Sequence, residues 1–230
     1  MKTLLEIFKG NNDRPIHKWL HYFDVYERHL SRYRNKPVKI LEIGVEGGGS
    51  LQMWKKYFGE SATIVGIDIN KDCKFEEDQI YVEIGSQSDT EFLKNIIEKH
   101  EGFDIIIDDG SHVQTDVITS FFFLYPFLKD DGCYIVEDGQ CSYFKIFQGG
   151  INSSTNMFSI IQKYIHDLNC EYIIEPYEQT LKYISSMCFY DSMIVIEKNS
   201  DISNKKYTMH FSKYHKKISN SKKFLERFMK

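Results

Sequence analysis

No apolar run in this 230-residue chain approaches the ~20 residues that a membrane-spanning helix needs, so no membrane span is expected. The five cysteines are odd in number and include no Cys-x-x-Cys pair, which argues against a disulfide framework and against a structural zinc site. A reducing, cytoplasmic setting is expected on that ground. Charge of one sign is not in excess: the formal net charge of -4 gives no reason to expect nucleic acid as the main partner. The stretch from Met1 to Lys9 is too poor in consecutive apolar residues and too charged for a signal peptide. There is no internal repeat and no low-complexity linker. Residues 1–230 are therefore expected to form one domain, with a helical cap at 1–36, a core at 37–198 and a basic tail at 199–230.

What the chain does contain is an ordinary share of hydrophobic residues, 42%, and of charged ones, 27%, enough for an α/β core. The stretch Ile105 to His112 reads Ile-Ile-Ile-Asp-Asp-Gly-Ser-His. Three β-branched residues make a buried strand, and two carboxylates with an imidazole follow where that strand runs out. Cys133 to Val136 is a second apolar run that ends in acids, Glu137 and Asp138. Ligands of open α/β sheets bind at the carboxyl ends of the strands. If the two strands are neighbours, Asp109, His112, Glu137 and Asp138 meet at one sheet edge, and a divalent cation would offset charge that costs several kcal/mol to bury unpaired. The plain alternative is a set of loop carboxylates that cap helices and face water.

The rest of the chain alternates strands and helices. Val38 to Gly44 is the first strand, and the turn Val45-Glu-Gly-Gly-Gly-Ser50 leads into a helix that starts near Leu51. The glycines do not follow the Gly-x-Gly-x-x-Gly dinucleotide spacing, and alone they are a weak signal for a ligand. Thr63 to Ile69 is a second strand, and it puts Asp68 about 20 residues beyond the turn, where ribose hydroxyls would meet an acid. Ile80 to Ile84 is a third strand, followed by a helix from Thr90 to His100 with Asp89 or Ser88 as N-cap. A helix over Val113 to Leu128, a turn at Asp130 to Gly132, a loop at Gln148 to Thr155 and a helix from Thr155 to Leu168 come next. Tyr183 to Tyr190 and Ser192 to Lys198 read as a closing pair of strands.

Near the N-terminus, apolar residues at Ile16, Trp19, Leu20, Phe23, Tyr26, Leu30 and Tyr33 recur every three or four positions, which predicts an amphipathic helix. Lys18, His21 and Tyr22 on it are candidates for the acceptor side of the site, as is Tyr143 beyond the acidic pair. The tail carries Lys205, Lys206, Lys213, Lys216, Lys217, Lys222, Lys223, Arg227 and Lys230 against only Asp201 and Glu226. Such a run is usually a solvated face, and it could also attract an anionic substrate.

Together, the glycine turn after the first strand and the acid after the second describe a Rossmann-like sheet. Leu41-Glu-Ile-Gly-Val-Glu-Gly-Gly-Gly49 and Gly66-Ile-Asp68 resemble the first and second motifs of the class I S-adenosylmethionine-dependent methyltransferases. That resemblance implies a mostly parallel seven-stranded sheet with an antiparallel last strand and helices on both faces. It also implies S-adenosylmethionine bound by Glu42, Gly44, Glu46, Gly47, Gly48, Ser50, Asp68, Ile69, Gly85, Ser86, Gln87 and Asp108.

A narrower match spans residues 15–198. Leu41-Glu-Ile-Gly44, Ile106-Ile-Asp-Asp-Gly-Ser-His112 and Val136-Glu-Asp138 resemble the metal-dependent sugar O-methyltransferases of macrolide biosynthesis and their relatives in capsule gene clusters. By that resemblance Asp109, Glu137 and Asp138 bind Mg²⁺ or Mn²⁺, His112 is the general base, and Asp109 shares in catalysis. The macrolide enzymes carry a long N-terminal auxiliary domain that this sequence does not show, and the short form looks more like enzymes that methylate sugars for surface polysaccharide. A sugar or nucleotide-sugar acceptor and a homo-oligomer are the expectations. Two other readings compete: a methyltransferase of an amine, phosphoramidate or phenol, and a non-catalytic docking protein that keeps the cofactor pocket.

Overall fold

Strict alternation along Lys39–Ile43 (β1) decides where everything else sits. Leu41 and Ile43 face one layer of helices, and Ile40 and Glu42 face the other. The computed structural model describes residues 1–201 and, for the backbone alone, 208–211 and 214–217. Thr63–Asp68 (β2), Ile80–Ile84 (β3), Phe103–Asp108 (β4) and Leu128–Val136 (β5) run parallel to β1. Ile184–Tyr190 (β6) and Met193–Lys198 (β7) complete a seven-stranded sheet of order β3-β2-β1-β4-β5-β7-β6, in which β7 is antiparallel to both of its neighbours. Thr208–Phe211 (β8) and Tyr214–Lys217 (β9) pair apart from it. The expected sheet is thus the observed one. The tail's other basic residues, Lys205, Lys206, Lys213, Lys222, Lys223, Arg227 and Lys230, lie outside the described residues.

Leu4–Lys9 (α1), Tyr22–Leu30 (α2) and Gly49–Phe58 (α3) cover one face, burying Tyr26, Trp54 and Phe58 against Ile40, Ile64, Ile105 and Ile107. Thr90–His100 (α4), Gln114–Leu124 (α5), Met157–Ile161 (α6) and Ile165–Leu168 (α7) serve the other face, with Phe121, Tyr125 and Leu93 on Leu41, Val65, Ile106 and Tyr134. Asp89 caps α4, its carboxylate accepting from the backbone N–H groups of Glu91 and Phe92 at 3.0 and 3.1 Å. Among the described residues no helix is long and apolar enough to cross a membrane.

Several boundaries differ from the pattern expected. The helix predicted from Ile16 begins only at Tyr22, because Pro15 and Ile16 lie flat on the glycine turn: a Cβ on Gly49 would meet the Pro15 carbonyl oxygen at 2.2 Å. Residues Asp130 to Gly132 form an irregularity within β5, with Asp131 at φ 60, rather than a turn before it. The helix after His112 stops at Leu124, and Tyr125–Phe127 tightens to a 3-10 turn at Pro126. The helix expected over Thr155 to Leu168 is split between α6 and α7 by a 3-10 turn at Gln162–Tyr164.

Helix α2 is tied to the sheet through Glu197 on β7. Its carboxylate accepts from Arg32 Nη1 at 2.9 Å and Ser186 Oγ at 2.7 Å, and His29 Nδ1 lies 3.1 Å away. The His29 contact first, then Ser186 and Arg32, hold the carboxyl well below its ordinary value, at about 2. A depressed acid stabilises the fold above its unfolded pKa, near 4.5, and that support is lost as pH falls through about 2. Because the group is partly solvated, Glu197→Gln is expected to remove about 1 kcal/mol near neutral pH and to flatten the acid limb of stability. Urea unfolding of both forms at pH 7 and pH 3 checks this: the gap should narrow at the lower pH.

Candidate active site

The parallel register brings Ile43, Asp108 and Val136 abreast on β1, β4 and β5. The next residues, Gly44, Asp109 and Glu137, therefore emerge together at the carboxyl edge, held by Asp109 N–H on the Ile43 carbonyl and Glu137 N–H on the Asp108 carbonyl. Side-chain alternation then sorts the acids between the two faces. Asp108 shares the face of Ile43 and turns toward α5. There Ser120 Oγ donates to it at 2.6 Å and Gln87 Nε2 at 3.1 Å. Burial pushes the Asp108 carboxyl up to about 6 against the lowering effect of those two donors.

Glu42, Asp109 and Glu137 face the other way, toward α2 and α3, and an ammonium sits among them. Lys18 Nζ is 2.5 Å from Asp109 Oδ2, 2.8 Å from Glu137 Oε2 and 3.5 Å from Glu42 Oε1, with its side chain 2% exposed. Burial alone would push the Lys18 pKa down, but Asp109, Glu137 and Glu42 outweigh it and hold the amine protonated. The remaining acceptors are also used. Tyr26 Oη donates to Glu137 Oε1 at 2.6 Å, Ser50 Oγ to Glu42 Oε2 at 2.7 Å, and Trp54 Nε1 to Glu42 Oε1 at 3.1 Å. Burial raises the carboxyls of both Glu42 and Glu137, and Lys18 opposes it.

Outside this buried layer lies a second one that reaches solvent. Asp138 accepts from Tyr22 Oη at 2.7 Å, while its own N–H donates back to that hydroxyl at 3.1 Å. His112 Nε2 stands 3.5 Å from Asp138 Oδ2 and 3.9 Å from Asp109 Oδ1, and the Phe147 ring meets the imidazole edge-on. His112 and Asp138 have φ of 57 and 50, a left-handed conformation that non-glycine residues rarely hold. Strain at two facing positions is a mark of a site held in place by its surroundings. One ligand atom from each of Asp109, His112 and Asp138 lies within 4.8 Å of the other two. Two hard carboxylate oxygens open to a cleft fit a hard divalent cation.

Two adjoining clefts share Gly44, Asp68 and Gly110. One, of ≈ 200 Å³, is lined by Ile69, Gly85, Ser86 and Gln87; the other, of ≈ 500 Å³, by Lys18, Glu46, Ser50, Asp109, His112 and Asp138. Asp68 stands between them. Its Oδ2 accepts from Val45 and Glu46 N–H and its Oδ1 from Asn70 N–H, so it shapes the turn as well as facing the cleft. Gly44 needs to be glycine for a close approach of two backbones: a Cβ there, at φ +91, would meet the Asp109 carbonyl oxygen at 2.1 Å, while a Cβ on Gly110 would meet the Gln87 amide oxygen, also at 2.1 Å.

Not every expected site residue reaches these clefts. Glu42 and Asp108 are buried at 0% and 1% exposure and are satisfied by the protein's own donors. Neither Gly47 nor Gly48 lines a cleft; the space a Cβ would take is filled by Pro15 and Phe75. Of the acceptor-side candidates, Lys18 and Tyr22 touch the acids. His21 is exposed, with Nε2 against the Asp191 carbonyl, and Tyr143 stacks on Phe158 in a separate groove. Glu137 turns inward to Lys18 and Tyr26, away from the outer trio. Tyr26, expected only as an apolar position of this helix, donates to Glu137, and its place four residues after Tyr22 puts both hydroxyls on one face of α2.

No family model matches the chain. It is 33% identical over 209 residues to an 8-demethyl-8-alpha-L-rhamnosyl tetracenomycin-C 2'-O-methyltransferase of Streptomyces olivaceus, a match covering 86% of this chain and 54% of that protein. It is 42% identical over 143 residues to the mycinamicin VI 2''-O-methyltransferase of Micromonospora griseorubida, covering 59% of this chain and 36% of the relative. The chain thus spans about half or less of the length of these curated relatives. Among solved structures, the MycE methyltransferase of the mycinamycin pathway, in complex with Mg, SAH and mycinamycin VI, superposes with a TM-score of 0.78 at 32% identity, over 86% of this chain and 54% of that one. Fold, sheet-edge motifs and these relatives agree: the chain belongs to the class I methyltransferases, with sugar O-methyltransferases as its relatives.

Proposed function

We propose that this chain is an S-adenosylmethionine-dependent, divalent-cation-assisted O-methyltransferase that acts on a sugar hydroxyl. The observation that carries the proposal is the convergence of Asp109, His112 and Asp138 at the carboxyl edge, beside a cleft that runs past Asp68 to Gly85 and Gln87. S-adenosylmethionine supplies an electrophilic methyl group on sulfur, and Mg²⁺ or Mn²⁺ supplies a Lewis acid. Asp68 takes the ribose hydroxyls, and Gly85, Ser86 and Gln87 flank the adenine. Asp109 and Asp138 hold the cation. Glu137, expected to join them, sits behind Asp109 on the Lys18 side. His112 Nε2, the nitrogen that faces the carboxylates, takes the hydroxyl proton as the oxygen–carbon bond forms and the sulfur–carbon bond breaks. The products are a methyl ether and S-adenosylhomocysteine.

Of the relatives named above, one acts on a rhamnosyl tetracenomycin and one on mycinamicin VI, in each case as an O-methyltransferase. They favour a glycoside acceptor over the nucleotide-activated sugar of surface polysaccharide that the short sequence suggested. Incubation with nucleotide sugars, simple glycosides and rhamnosylated polyketides, read by mass spectrometry for the gain of one methylene, tests the class. Transfer to a glycoside supports the proposal; transfer only to amines or phenols overturns it.

On the cofactor side, Asp68→Ala is expected to weaken S-adenosylhomocysteine binding by about 1–3 kcal/mol, the loss of a charged hydrogen-bond acceptor. Calorimetry reads it directly, and unchanged affinity would remove Asp68 from the ribose site.

A further inference from the structure

Among the described residues, the most deeply buried cationic side chain lies where a second cation would be least welcome. Lys18 reaches Asp109 Oδ2 at 2.5 Å, and the same carboxylate offers Oδ1 to the cleft, 3.9 Å from His112 Nε2. One carboxylate thus faces two positive charges, one built into the chain and one to be bound. The segment that delivers Lys18 has neither helix nor strand from Gly10 to His21; its Trp19 and Leu20 are largely exposed, whereas Pro15 and Ile16 pack on the glycine turn and the core beside it. Its other charged ties, Asp13 to Lys56 and His17 to Glu46, lie on the exposed surface. Such ties contribute little. Pro15 and Ile16 hold the first half of this strap, with Arg14 over the Phe75 ring, and Lys18 is the buried charged anchor of the second half, drawn in by the acids.

We propose that Lys18 sets the metal affinity of the site: its ammonium is the resident counter-ion of Glu42, Asp109 and Glu137, and it yields to the divalent cation, releasing the strap as the site loads. This inference rests on the cation-assisted reading above. In the metal-free protein Lys18 neutralises an acid layer that would otherwise be unpaired in the interior. When the cation arrives, two like charges a few ångströms apart repel; release of the lysine relieves that repulsion while the cation takes over the neutralisation of the carboxylates. Glu137 is then free to turn outward, which reconciles its inward pose with its expected place among the metal ligands. By linkage, docked Lys18 weakens metal binding by the same factor as bound metal weakens the docking of Lys18.

The test uses Mn²⁺ with wild-type protein and with Lys18→Met, which keeps the length and apolar stem but removes the charge. Free Mn²⁺ measured by electron paramagnetic resonance should show the variant binding about tenfold tighter or more. Amine labelling of the wild-type chain, located by mass spectrometry, should leave Lys18 protected without metal and labelled with saturating Mn²⁺. Equal or weaker Mn²⁺ binding by Lys18→Met, with normal binding by wild type, overturns the inference and leaves the cation-assisted reading intact. If neither protein binds Mn²⁺, both fall. Should Lys18→Met fail to fold, the labelling decides alone: a Lys18 that stays protected in the loaded wild type refutes release.

Discussion

Replacing His112 with Ala is expected to lower kcat by about 10²–10⁴, the range for loss of a general base. The imidazole is held by two features that a merely structural histidine would not need, a left-handed backbone and a ring nitrogen 3.5 Å from Asp138 Oδ2. Its removal takes away the proton acceptor but neither the cofactor cleft nor the carboxylates. Affinity for S-adenosylhomocysteine and for Mn²⁺ should therefore stay within about twofold, because the proposal puts His112 on the acceptor side and a nitrogen contributes less to a hard cation than oxygen does. His112→Asn should be as slow as Ala, since it keeps a polar side chain but no basic nitrogen. Steady-state kinetics with calorimetry on the same preparations separates these effects. Near-normal turnover of His112→Ala would assign the histidine a packing role against Phe147.

The effect of Asp109→Asn should be larger still. Asp109 is the one acid shared by the inner layer, through Lys18, and the outer trio with His112 and Asp138. Neutralising it removes a proposed metal ligand and leaves Lys18 with Glu137 and Glu42 alone. Loss of a Lewis acid that stabilises the developing charge is worth several kcal/mol, so kcat should fall by about 10³ or more. The fold should survive, because Asp109 lies just past the end of β4 and its carboxylate is partly exposed. Activity and Mn²⁺ affinity should collapse together while the far-ultraviolet circular dichroism stays that of the wild type. Loss of activity with Mn²⁺ affinity unchanged would instead make Asp109 a direct ligand of the sugar.

The strands that carry these residues were legible in the sequence because each is a short β-branched run closed by glycine or acid. The meeting of Asp109, His112 and Asp138 followed from the order of those strands. What the linear pattern could not resolve was which way each acid turns. Asp108 and Asp109 are neighbours in sequence, yet period-2 alternation sends one to Ser120 and Gln87 and the other to Lys18. Glu42 looked like a wall of the cofactor cleft because its motif borders one, but alternation buries it against Trp54. The helical spacing from Ile16 to Tyr33 was real only from Tyr22 on. The preceding residues give up helical hydrogen bonds because Pro15 must lie on Gly47 and Gly49 and Lys18 must reach the acids. A buried lysine four residues before the helix leaves no periodic trace. His21 was expected at the site from the helix it was read to share with Lys18 and Tyr22, and Tyr143 from its place just beyond the acidic pair; His21 instead meets the Asp191 carbonyl and Tyr143 stacks on Phe158.

The central claim is that this sheet edge uses a bound divalent cation and His112 to methylate a sugar oxygen. Single-turnover transfer of an isotopically labelled methyl group from S-adenosylmethionine to a rhamnosylated polyketide, followed with saturating Mg²⁺ and after stripping with excess EDTA, tests it most directly. Label is expected on a sugar hydroxyl in Mg²⁺, with a rate at least about 10³ lower in EDTA and recovery on adding Mn²⁺. Equal rates with and without chelator, or label found on nitrogen, would contradict it.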